Sequence, residues 1–257
     1  MYLDLLHLFL ENSLLVEIGQ SADNLMSSGE LASRLESDPF HAYENNKWNN
    51  APGKFDHFTE ENYDFIVSHK GGHFFILGAI VALVYLGLGS SRNKDQLMQI
   101  GLAFGKYAQI QDDFLDAFAD PIITGKIGTD IQEGKCTWLI IQALKRCNHD
   151  QRKLLENAYG RRDEVKVQQV KQLYRDLELD KVYESHEAKA LAQLQEMIAK
   201  VDDGEGLRQS AFDIMPSMFH LPRLWMKQLL TRIPHAVKNL GYEKQRETIR
   251  DIRVKNS

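Results

Sequence analysis

The sequence predicts an all-α protein, a helical bundle. Apolar residues recur three and four positions apart, and no segment alternates apolar with polar residues as a half-buried strand would. Six prolines in 257 residues leave long stretches free of helix breakers.

Residues 1–25 read as a first helix, with Leu3, Leu6, Phe9 and Leu10 on an apolar face. The pattern begins at residue 2 without a cap, as a fragment of a larger fold would. Residues 27–56 are rich in Asn, Ser and Gly and read as a long loop. Thr59 then caps a second helix, with Asn62 where a capping box would place Glu or Gln. Glu60, Glu61 and Asp64 repeat an i, i+1, i+4 carboxylate spacing, read here as acidic side chains near a helix start that complement its dipole.

Residues 74–88 form an apolar helix, shorter than the roughly 20 residues of a membrane span. It reads as a buried central helix, so no membrane span is expected. A long helix over 94–118 follows and ends before Asp120-Pro121. Further helices are expected over 136–147, 149–159, 163–177 and 181–201. Cys136 and Cys147 fall on one helix in this reading, too far apart for a disulfide. Free thiols suit a reducing, cytoplasmic setting.

After Val201 the character changes. From Asp203 onward ten Lys/Arg face six Asp/Glu, and three prolines interrupt the pattern. The expected organisation is a bundle over 1–201 and a divergent basic tail over 202–257. The whole chain carries a net charge of −5, which argues against nucleic acid as a partner.

The chemistry concentrates on the 94–118 helix. Asp112, Asp113 and Asp116 stand at i, i+1 and i+4, so Asp112 and Asp116 share a face and Asp113 lies beside it. Their mutual repulsion is relieved by a cation. Hard oxygen ligands suit Mg²⁺, with Mn²⁺ as the alternative, and Mg²⁺ commonly takes one or two carboxylates plus substrate phosphates. Ile110, Phe114, Leu115 and Phe118 make the helix an inner one. Lys126 and Lys135 follow, and a lysine ammonium is a good point-charge partner for phosphate. Thr124-Gly125-Lys126 is not a nucleotide P-loop, because Ile127 stands where Ser or Thr is needed. Asp130 stands where it can orient Lys126. Gln20 and Asp23 share a helix face at i, i+3, and Lys70 precedes the apolar helix.

The run QIQDDFLDAFADPIITGKIGTDIQEGKCTWLIIQAL over residues 109–144 resembles the second aspartate-rich region of farnesyl diphosphate synthases. Glu17-Ile18-Gly19-Gln20 resembles that family's Glu-x-Gly-Gln segment, and Ile66 to Lys70 its lysine-bearing segment. The similarity spans about residues 2–200. It implies the isoprenoid-synthase type of all-α bundle, truncated at the N-terminus, and a prenyltransferase. Such an enzyme condenses isopentenyl diphosphate with an allylic diphosphate, dimethylallyl or geranyl. It implies Mg²⁺ at Asp112, Asp113 and Asp116. Diphosphate contacts fall to Lys70, Lys126 and Lys135, substrate contact to Gln109, and a polar cavity wall to Gln20 and Asp23. The implied catalytic residues are Lys70, Lys126 and Asp112. A homodimer, or a heterodimer with a complete synthase, follows from the same resemblance.

The departures are as informative. The family's first aspartate-rich motif is missing, Gly71 stands where relatives carry Thr, and the aromatic pair before Gln109 is reduced to Tyr107-Ala108. The expectation is therefore a chain with little or no activity alone. Two alternatives remain: a non-catalytic homologue that associates with a complete synthase, and a terpene synthase-like descendant.

Overall fold

Ser90 sets the start of the central helix. Its hydroxyl accepts from the Asn93 N–H at 3.2 Å, so the helix begins at Ser91, three residues ahead of the sequence expectation. It then runs unbroken to Phe118. The computed structural model describes residues 2–28, 55–121 and 125–212, and all that follows concerns those residues. They contain helices, turns and loops and no strand, so the all-α prediction holds.

In chain order the helices are α1 (Tyr2–Ser28), α2 (Glu60–Val67), α3 (His73–Tyr85), α4 (Ser91–Phe118) and α5 (Asp130–Glu133). They continue with α6 (Trp138–Arg146), α7 (His149–Ala158), α8 (Glu164–Asp176) and α9 (Leu179–Ala199). Capping chemistry accounts for several starts. Thr59 caps α2 as expected, accepting from Asn62 N–H at 3.1 Å. Asn148 and Gln151 close a reciprocal capping box on α7, and Asp163 caps α8.

α2 and α3 are joined by a single π-helical turn, Ser68–Gly72. Such turns widen a helix locally and frequently mark functional positions. This one is wedged against α1. A side chain at Gly19 would put its Cβ 2.4 Å from the Lys70 backbone nitrogen, so only glycine permits this approach. The turn carries Lys70, which thereby faces α1.

The core gathers Ile76, Ile80 and Leu83 of α3 with Leu97 and Ile100 of α4. The apolar stretch at 74–88 is buried only in part: Ile76, Ile80 and Leu83 face the core, whereas Tyr85 and Leu86 are 71% and 66% exposed. No single described helix is long and apolar enough to cross a membrane. At the other end of α4, the Phe114 ring stacks on Tyr183 of α9 with centroids 3.9 Å apart.

Three expectations are corrected. Cys136 lies before α6 and Cys147 is its C-cap residue, so the two free cysteines flank a shorter helix rather than sharing one. The apolar face of α1 is not its buried face. Leu3, Leu6, Phe9 and Leu10 are 41–64% exposed, whereas the turned-in side of α1 carries Asn12, Gly19 and Asp23. And packing continues past the boundary expected at 201. Val201, Leu207 and Phe212 join the core cluster, while Asn93 donates to the Glu205 carbonyl at 3.1 Å. Most of the expected 27–56 loop, and residues 213–257, lie outside the described residues.

Candidate functional site

Two lysine–carboxylate clusters form the site. In the first, Asp23 of α1 is 5% exposed and receives two ammonium groups. Lys70 Nζ lies 2.8 Å from Asp23 Oδ2, and Lys135 Nζ lies 3.3 Å from the same oxygen. Residues 47 and 112 positions apart in sequence are thereby gathered at one atom. Lys135 is placed by its own backbone. Its N–H donates to the Asp130 carbonyl at 3.0 Å, and its carbonyl accepts from the Tyr159 hydroxyl at 2.6 Å. Gln20 stands one turn before Asn24 and donates to its Oδ1 at 3.1 Å; Lys135 approaches the same oxygen at 3.5 Å.

The second cluster hangs on α4. Lys126 Nζ meets Asp112 Oδ1 at 2.8 Å, with both side chains about half exposed (52% and 53%). Burial lowers the Lys126 pKa, but the Asp112 contact and the charges of Asp116 and Asp130 outweigh it and raise it. The loop carrying Lys126 lies flat against the end of α4. A Cβ on Gly128 would fall 2.0 Å from the Asp116 carbonyl oxygen, so a side chain there would lift the loop away.

The adjacent carboxylates have different surroundings. Asp113 is buried and fully engaged. Its Oδ2 accepts from the Tyr63 hydroxyl and from the Trp138 N–H, both at 2.8 Å, and its Oδ1 accepts from Gln109 at 3.0 Å. Burial pushes its pKa up to about 6 against the pull of these bonds. Asp116 accepts from the Thr129 and Asp130 N–H groups, each at 3.1 Å, which ties α4 to the start of α5. Its pKa is raised by burial against those two bonds. Asp130 is raised further, to about 8, by burial and then by the charges of Asp116, Asp113, Asp112 and Asp23. Asp130 lies within electrostatic reach of the carboxylates of both clusters, which together make up an acidic mouth.

Among the described residues, no three His, Cys, Asp or Glu side chains are arranged as a ready-made metal shell. The donor set nonetheless fits a hard cation that relies on phosphate and water for its remaining ligands. Asp112 is exposed, and only one of its oxygens is taken by Lys126. Asp113 is the more deeply engaged carboxylate, with three accepted hydrogen bonds against two at Asp116.

All the sequence-predicted site residues are described. Lys70, Lys135 and Asp23 come together, as do Asp112 and Lys126. Gln109 turns inward to Asp113, and Gln20 contacts Asn24. Thr124 lies outside the described residues. Tyr63, Trp138, Tyr159 and the short helix α5 escaped the sequence reading, since nothing local marks residues that act 25 or 50 positions away. At Gly71, a Cβ would meet the Gly105 carbonyl at 3.5 Å and Gln109 Oε1 at 3.8 Å, so a side chain has room there.

The class is that of an all-helical bundle in which one lysine meets the aspartate-bearing central helix and two more meet Asp23 of α1. The sequence profile of the polyprenyl synthetase family matches residues 2–177. Farnesyl pyrophosphate synthase of Gallus gallus is 36% identical over 200 residues, covering 77% of this chain and 49% of its own length. The Rattus norvegicus enzyme of the same name is 37% identical over 200 residues, covering 77% and 50%. Among solved structures, T. brucei farnesyl diphosphate synthase complexed with a bisphosphonate superimposes with a TM-score of 0.68 at 29% identity, over 77% of this chain and 53% of that one. The chain belongs to the polyprenyl synthetase family. It spans about half the length of the curated relatives it matches.

Proposed function

We propose that this chain supplies the second-aspartate-motif half of a prenyltransferase site, in which isopentenyl diphosphate is condensed with an allylic diphosphate, dimethylallyl or geranyl. The observation that carries the reading is the convergence of Lys70 and Lys135 on Asp23 beside the Asp112–Lys126 pair. Three ammonium groups around one mouth can exchange carboxylate partners for diphosphate oxygens.

In this reading Lys70, Lys126 and Lys135 bind the diphosphate and stabilise the charge that develops as the allylic C–O bond breaks. The electron pair leaves with pyrophosphate. The isopentenyl double bond then attacks the allylic carbocation, and a proton is lost from the product. Asp112 and the outer faces of Asp116 and Asp130 would hold Mg²⁺, or Mn²⁺ in its place. Bound there, the ion would neutralise the leaving diphosphate. Asp113 acts differently from the expected ligand: it locks α4 to α2 and α6 and turns Gln109 inward. Asp23 holds Lys70 and Lys135 ready in the absence of substrate, and Gln20 keeps Asn24 in place beside them.

The apolar face of α1 favours a second element of the reading. Tyr2, Leu3, Phe9, Leu10 and Leu14 are 55–78% exposed along one helix, a stripe that in relatives twice as long has further protein available to cover it. The reading is that the site works when completed, by other residues of the same protein, by a second copy, or by a complete synthase. The test is turnover of labelled isopentenyl diphosphate with geranyl diphosphate and Mg²⁺. These 257 residues alone are expected to give little product, and co-expression with the first half of the Gallus gallus enzyme is expected to raise it at least tenfold. Unassisted elongation at the rate of that complete enzyme refutes the need for completion. Failure of both arms, with intact folding, refutes the catalytic reading.

A further inference from the structure

α2, α4, α6 and α9 line a half-open cavity of about 770 Å³ that includes none of the lysines or aspartates of the acidic mouth. Its size suits a small organic ligand. Buried Tyr63, Trp138 and Ile141, with Val182, give it an apolar wall. Its rim is charged, and most of that charge is internally compensated. Lys106 lies 2.6 Å from Asp64, Lys145 lies 2.5 Å from Glu60, and Lys181 pairs with Glu178.

Two cations are left over. Arg146 donates only to neutral oxygens of Gln142, at 3.0 and 2.7 Å. Lys189 has no acceptor among the described residues. The imidazole of His186, 5.1 Å from the Trp138 ring, has its pKa lowered by burial and then by Lys106 and Lys189. The rim is therefore locally positive over an apolar wall.

We propose that this cavity binds a small amphipathic anion. Its apolar body lies on Trp138, Ile141 and Val182, and its terminal carboxylate or phosphate is held by Lys189 and Arg146. The site has a direct line to the aspartate helix. Tyr63 and Trp138, which form its wall, are the residues that donate to Asp113 Oδ2. An occupant therefore contacts the two residues that donate to Asp113 Oδ2.

The test uses the full chain with Trp48→Phe and Trp225→Phe, which leaves Trp138 as the sole indole. Octanoate, octyl phosphate and the neutral octanamide are titrated while Trp138 fluorescence is followed. Both anions are expected to shift the emission saturably, with octanamide at least tenfold weaker; the tighter anion identifies the preferred head group. Lys189→Gln combined with Arg146→Gln is expected to weaken both anions at least tenfold and leave octanamide unchanged. Both side chains are exposed, so helicity measured by circular dichroism should not change. Equal binding of octanamide and the anions overturns the proposal. So does unchanged anion affinity in the double variant, or no saturable Trp138 response to any of the three.

Discussion

The two lysine–carboxylate clusters differ in almost every physical respect. Asp112 and Lys126 are 14 residues apart, half exposed, and paired one to one. Asp23 is buried, takes two lysines from distant segments, and depends on a π-helical turn and a glycine contact to receive them. An exposed pair contributes little stability and exchanges partners readily. A buried cluster is costly to break, because whichever group is left behind stays desolvated. The comparison separates roles: the Asp23 cluster stores a fixed arrangement of positive charge, and the Asp112 pair forms its adjustable edge.

The sharpest way to break this division is at Asp113, which holds the helix beneath both clusters. Asp113→Ala removes three hydrogen bonds and leaves the Tyr63 hydroxyl, the Trp138 N–H and the Gln109 amide without their acceptor. At roughly 1 kcal/mol or more for each buried unsatisfied group, urea unfolding should show a loss of about 3 kcal/mol or more. Asp23→Ala comes next. Lys70 keeps some access to water, so the loss should be about 2 kcal/mol, below the range for a fully buried pair. Lys70→Ala, which leaves Lys135 on Asp23, should cost less than Asp23→Ala.

The third effect is pH-dependent. The carboxyls of Asp113 and Asp130 have folded pKa values of about 6 and about 8, above the ordinary 3.8. Between those values the folded chain holds more protons than the unfolded one, so stability falls as pH rises. The unfolding midpoint should be higher at pH 5 than at pH 8, and Asp130→Asn should flatten most of that difference. The smallest effect belongs to Lys126→Ala. With both partners about half exposed, the stability loss should stay below about 1 kcal/mol. A loss at Lys126 equal to that at Asp23 would erase the distinction between the clusters.

Much of the fold was legible because helices announce themselves locally. Thr59 and the Asp120-Pro121 stop are signals contained within a few residues. The i, i+1, i+4 aspartates and the lysines after them pointed to the candidate site. What stayed hidden depends on long-range placement. Spacing put Asp112 and Asp113 in one metal set, but spacing cannot say which carboxylate faces water and which faces Tyr63 and Trp138. The apolar residues of α1 suggested a buried face, yet the helix turns Asn12, Gly19 and Asp23 inward, where a polar site and a close backbone contact require them. The break Asp202-Asp203-Gly204-Glu205-Gly206 after Val201 looked like the start of a basic tail. Leu207 and Phe212 join the core there because Asn93, at the start of α4, fastens the loop that precedes them.

The central claim is that the acidic mouth is built for a diphosphate. Its most direct test is calorimetric titration of inorganic pyrophosphate into the chain, with and without Mg²⁺. Binding should depend on Mg²⁺ and weaken at least tenfold in Lys126→Ala and in Lys70→Ala, while the Lys189→Gln, Arg146→Gln variant binds as the parent does. Pyrophosphate binding that is absent, or that is indifferent to Mg²⁺ and to both lysines, would contradict the account.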